Sequence, residues 1–101
     1  MEMVIRIVGL ATEAGTESCG HSNRFLRDFD PDAYGGRGRV RSTDDPVHAK
    51  RFPDTAAAHA CWTLQSRRVP LRDDGRPNRP LTAYTCEMVP IAFAVPPETS
   101  P

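Results

Sequence analysis

Arginine is the residue type most able to do chemistry in this chain: twelve of the thirteen Lys and Arg side chains are arginine, Lys50 being the exception. A planar guanidinium grips a carboxylate or phosphate through paired N–H donors, which the compact ammonium of lysine does not match. Arg37, Arg39 and Arg41 alternate, so on a strand they share one face. Arg67, Arg68, Arg72, Arg76 and Arg79 crowd the end of an alanine-rich stretch and the proline-rich segment after it. The two groups could form one patch for an acidic protein surface or for phosphates, or simply a solvated surface that keeps the protein dispersed. Asp44, Asp45, Asp73 and Asp74 are interleaved with them and would neutralise part of such a patch.

Cysteine and histidine offer less. Cys19-Gly20-His21 and His59-Ala60-Cys61 together hold two thiols and two imidazoles, enough in number for zinc. On a helix, however, positions i and i+2 point about 200° apart, so His59 and Cys61 cannot share one metal while their helix is intact. No structural metal or other cofactor is expected, and Cys61 and Cys86 suit a core as small apolar residues. Cys19 is the thiol with most access, but a histidine two residues away in a loop is not thereby positioned as its base. The carboxylate pairs Asp44-Asp45 and Asp73-Asp74 have plain uses in helix capping and turn formation. Gly35-Gly36-Arg37-Gly38 lacks the lysine and following helix of a phosphate loop and suits a turn. No enzyme motif emerges, and catalytic residues are not assigned.

The elements that must position these side chains follow from periodicity. Met3 to Val8 is β-branched and alternates with Arg6 outward, which predicts a strand. Residues 11 to 23 are polar and glycine-bearing, which predicts a loop. Arg24 to Asp30 and Arg39 to Thr43 predict a hairpin across the glycine turn, with Val40 inward. Asp45-Pro46 opens a short helical turn through Ala49. The clearest helix runs from Asp54 to Ser66, with Ala57, Ala58, Cys61, Trp62 and Leu64 as its apolar stripe and Trp62 as its largest burial. Val69 to Pro80 predicts a loop around Asp73-Asp74-Gly75, and Leu81 to Ile91 a last strand of undecided inner face. The fold class is therefore α+β: a mostly antiparallel sheet of about four strands, covered on one face by one main helix.

The length of 101 residues suits one domain, expected over 1–95 with a disordered proline-rich tail over 96–101. Formal net charge is zero, which removes the bulk attraction of a dedicated nucleic-acid or anionic-membrane binder. The charge is nevertheless segregated: residues 37–79 carry nine arginines, one lysine and five aspartates, a net of +5. Met3 to Leu10 is interrupted by Arg6 and too short for a signal core or membrane span, so a reducing cytoplasm with three free thiols is the expected setting.

The segments Arg72-Asp73-Asp74-Gly75-Arg76-Pro77-Asn78-Arg79-Pro80-Leu81-Thr82-Ala83-Tyr84, Ser42-Thr43-Asp44-Asp45-Pro46 and Lys50-Arg51-Phe52-Pro53-Asp54 carry a resemblance. Over roughly residues 25–90 the chain resembles small uncharacterised proteins encoded by phages and prophages of Gram-negative bacteria. The resemblance implies a genomic context and no specific residue roles. Small phage accessory proteins often bind a host or phage protein, and some inhibit host defences such as CRISPR effectors. The expectation is a non-enzymatic accessory protein that binds another protein through Arg72, Arg76 and Arg79, joined by Arg37, Arg39 and Arg41. The alternative is a nucleic-acid-binding module that uses the same arginines.

Overall fold

The β-branched run near the N-terminus becomes the centre of the sheet, as its apolar content on both faces requires. In a computed structural model, which describes residues 2–94, five strands are present: β1 (Met3–Thr12), β2 (Gly15–Glu17), β3 (Arg24–Asp30), β4 (Arg39–Thr43) and β5 (Tyr84–Pro90). All pairings are antiparallel. β1 meets β5 along one edge, from Met3↔Pro90 to Leu10↔Tyr84. Its other edge meets β3 at Arg6↔Phe25 and Ile7↔Arg24, and β2 at Leu10↔Glu17 through Thr12↔Gly15. β4 lies outside β3. The molecule is thus α+β, with a sheet four strands wide that β2 prolongs at one end. The expected tail over 96–101 lies outside the described residues.

The main helix, Thr55–Trp62, starts where Asp54 Oδ1 accepts the Ala57 N–H at 2.8 Å, satisfying one of the free amides of its first turn. It lies over β1 and β5. Beneath it Met3, Ile5, Leu26, Phe52, Ala58 and Leu81 form the core, with Ile5, Leu26 and Leu81 fully excluded from solvent. Each such aliphatic burial is worth about 1.5–3 kcal/mol. Tyr84, Cys86 and Met88 pack against this core, which settles the inner face of β5. Glu87 points the other way and pairs with Arg6 at 2.9 Å.

Several expectations need correction. The helix ends at Trp62 rather than Ser66, because Thr63 turns its hydroxyl back onto the His59 carbonyl at 3.0 Å and the chain departs toward another anchor at Ser66. Leu64 consequently leaves the apolar stripe and is exposed. Trp62 stays on the helix's inner stripe, half-buried against the core, with its Nε1 donating to the Tyr84 carbonyl at 3.2 Å. The expected loop over 11–23 contains the end of β1 and all of β2. Both strand segments are exposed on both faces, so no alternation betrays them. Leu81–Ala83 form a 3-10 turn opened by Pro80, and the last strand begins only at Tyr84.

Gly9 shows how closely the sheet is built. A Cβ there would collide with the Glu17 carbonyl and stand 2.9 Å from Thr16 Cγ2. Over this bare position Thr16 and Thr85, from the strands on either side of β1, share a hydroxyl hydrogen bond of 3.0 Å.

A candidate protein-binding cleft

Two loops that are far apart in sequence meet beside the core, and side-chain hydrogen bonds account for their meeting. Asp32, just after β3, accepts through Oδ1 from the Ser66 hydroxyl at 2.8 Å, the Arg67 N–H at 2.8 Å and the Arg68 N–H at 3.0 Å. The Arg68 amide first, then the Ser66 hydroxyl and the Arg67 amide, hold the Asp32 carboxyl below its ordinary value of 3.8. Ser66 is almost fully buried and its hydroxyl also accepts the Val69 N–H at 3.0 Å. Asn78 closes the arrangement, its Nδ2 donating to the carbonyls of Gly36 at 2.7 Å and Val69 at 2.9 Å.

Within the second loop, Leu71 and Pro77 form a β-bridge and the Arg72 N–H reaches the Arg76 carbonyl at 2.8 Å. Asp73, Asp74 and Gly75 are its tip, with Gly75 at φ 82°. The expected loop is therefore a miniature hairpin. The first loop is a tight turn in which Tyr34, Gly35 and Gly36 are left-handed, at φ 54°, 68° and 86°. A Cβ on Gly36 would lie 2.6 Å from that of Val69, so glycine permits the close approach of the two loops.

Between them lies an open cleft of about 430 Å³, lined by Gly35, Gly36 and Arg37 of the first loop, by Val69, Leu71, Arg72, Asp73 and Asn78 of the second, and by Pro80 and Ala83 of the 3-10 turn. Arg37 and Arg72 stand at this cleft, and among the described residues neither side chain has an ion-pair partner. The other arginines go elsewhere. Arg76 sits at the hairpin tip, 3.7 Å from Asp74. Arg79 is exposed just before the 3-10 turn. Arg39 pairs with Asp28 at 3.4 Å and Arg41 is exposed on the same strand. Because Val40 packs toward the core, Arg39 and Arg41 project from the opposite face of the sheet. Arg37 does not join them, since it occupies a helical turn conformation (φ −74°, ψ −22°) before β4 begins.

Periodicity did not single out Tyr34, Asp32, Ser66 or Asn78. Tyr34 is 72% exposed and is one of two non-glycine residues with positive φ among those described. An aromatic between Ala33 and two glycines was the available signal.

The histidines and cysteines form no group of three or more metal-binding side chains among the described residues. His21 Nδ1 instead lies 2.6 Å from Ser42 Oγ, which accepts from Arg24 Nε at 2.9 Å. The ring of His21 meets Tyr84 edge-on at 5.8 Å, completing a polar cap over that end of the sheet. Burial, with Cys61 and Cys19 nearby, pushes the Cys86 thiol up to about 12, and burial raises Cys61 as well. Both thiols are poor nucleophiles at neutral pH. Among the described residues no helix is long and apolar enough to cross a membrane. No family model, curated protein or solved structure matches the chain.

Proposed function

We propose that this is a non-enzymatic binding module that engages another protein through the cleft between the glycine turn and the arginine hairpin. The observation that carries the reading is the placement of Arg37 and Arg72, two guanidiniums without an ion-pair partner among the described residues, beside an apolar lining of Val69, Leu71, Pro80 and Ala83. Protein interfaces favour this combination: apolar surface gives up water while arginine supplies directional hydrogen bonds. The two loops are fixed in advance by Asp32 and Asn78, so little ordering entropy opposes binding. The resemblance to phage and prophage proteins supports a host or phage protein as the partner, and inhibition of a defence system such as CRISPR as the consequence.

The test is recovery of a tagged full-length chain from lysate of a Gram-negative host, with and without nuclease. A discrete protein that survives nuclease and disappears with the double variant Arg37→Ala/Arg72→Ala supports the reading. Retention of that protein would remove the cleft, and retention by Arg76→Ala/Arg79→Ala would confine the contact to the inner arginines. The nucleic-acid alternative draws on exposed Arg41 and Arg79. It requires recovery that collapses with nuclease and weakens steeply with salt, because phosphate contacts release counterions.

A further inference from the structure

Tyr34 is placed at a cost. A residue with a Cβ is disfavoured in the left-handed region relative to the right-handed one, and glycine occupies both following positions without that penalty. The ring obtains no burial in return: Tyr34 is 72% exposed, and among the described residues it has no hydrogen-bonding or aromatic partner. An exposed aromatic held in an unfavourable backbone conformation, directly before the cleft-lining Gly35, Gly36 and Arg37, is better matched to contact with a partner than to folding.

The charge around the cleft narrows what that partner presents. Arg37 and Arg72 call for anionic groups, while Asp73 stands in the same lining. A continuous phosphate backbone would bring negative charge against Asp73 as well as toward the arginines. Separate carboxylates spaced by uncharged residues meet the guanidiniums and leave Asp73 clear, and the apolar lining accepts a small aliphatic side chain between them.

Resting on the protein-binding reading, we infer that the cleft takes an extended acidic peptide segment of the partner, with Tyr34 as its aromatic anchor and Arg37 and Arg72 receiving two of its carboxylates. Each guanidinium makes charge-assisted hydrogen bonds to a carboxylate, and Tyr34 lies against the peptide flank, supplying contact area with few rotatable bonds to restrain.

The probe is an N-acetylated, C-amidated peptide alternating Glu and Val, titrated at millimolar concentration into the 15N-labelled full chain. The expected result is movement of the amide signals of Gly35, Gly36, Leu71 and Arg72 and of the Asn78 side-chain amide. The matching Gln/Val peptide should bind about tenfold more weakly or worse, as loss of charge-assisted bonds implies. Tyr34→Gly should keep or raise the thermal midpoint, since glycine accepts the left-handed turn, while weakening the peptide by about tenfold. Arg37→Ala/Arg72→Ala should abolish the shifts. The inference fails if the Gln peptide binds equally, if the shifts fall on β4 instead, or if an oligothymidylate moves the cleft amides more strongly than the Glu peptide. It also fails if Tyr34→Gly lowers the midpoint and leaves affinity unchanged. A lysate partner that depends on the cleft while the Glu peptide does nothing would overturn the acidic segment alone and leave the protein-binding reading standing.

Discussion

At the scale of single residues, glycine and carboxylate carry the cleft. Gly36 combines φ 86° with a neighbour 2.6 Å from where its Cβ would sit, so Gly36→Ala should destabilise the protein by about 1–3 kcal/mol in urea unfolding. Gly35 has open space around it, and Gly35→Ala should cost only its backbone term, about 1 kcal/mol. Asp32 makes the same junction sensitive to acid. Its carboxyl is depressed in the fold by the Arg68 amide, the Ser66 hydroxyl and the Arg67 amide. Its contribution is therefore present above the ordinary value of 3.8 and is lost as pH falls through the lower folded value. Asp32→Asn should flatten the acid limb of stability against pH, measured by urea midpoints. Cys86 acts at the other extreme. Raised from 9.0 to about 12 chiefly by burial, it favours the fold fully below pH 9 and loses that preference as pH climbs toward 12. Cys86→Ala should reduce the alkaline loss over that window.

At the scale of elements, local chemistry was legible and long-range closure was not. Asp54 announces its helix from sequence and performs as expected; Asp54→Ala should cost about 1 kcal/mol of stability, read by chemical denaturation. The β-branched run Met3 to Val8 and the alternation of Val40 between arginines placed β1 and β4, since Met3 and Ile5 on β1 and Val40 on β4 face the core. β2 gave no such signal: Gly15-Thr16-Glu17 is exposed throughout and is held by backbone pairing to β1. The helix end was hidden for a different reason. Leu64 continues the apolar spacing in sequence, but Ser66 is claimed by Asp32, 34 residues earlier, and no local pattern records that bond. The cleft was half legible: Arg37 and Arg72 stood out by type, whereas Asn78 and Tyr34 matter through positions that only the folded chain defines.

At the scale of the whole molecule, zero net charge conceals two arginine groups on different surfaces. Arg39 and Arg41 lie on the sheet face turned away from the helix, and Arg37 and Arg72 line the cleft. Arg39→Ala/Arg41→Ala should therefore leave capture of a cleft-dependent protein unchanged, while a nucleic-acid contact through β4 would be lost. Exposed arginine on β4 also suits its position at the edge of the sheet, where charge discourages pairing with another chain.

The central place of β1 sets a condition on the protein's birth. Synthesis delivers β1 well before β5, the strand that completes one of its edges: Arg6 and Glu87, 81 residues apart, are paired neighbours. Until the ribosome has released β5, the most apolar segment of the sheet has an open side, and the native sheet cannot close strand by strand as β1 to β4 emerge. Closure of the sheet must await β5, and a nascent chain arrested before Tyr84 would present β1 to chaperones or to its own kind.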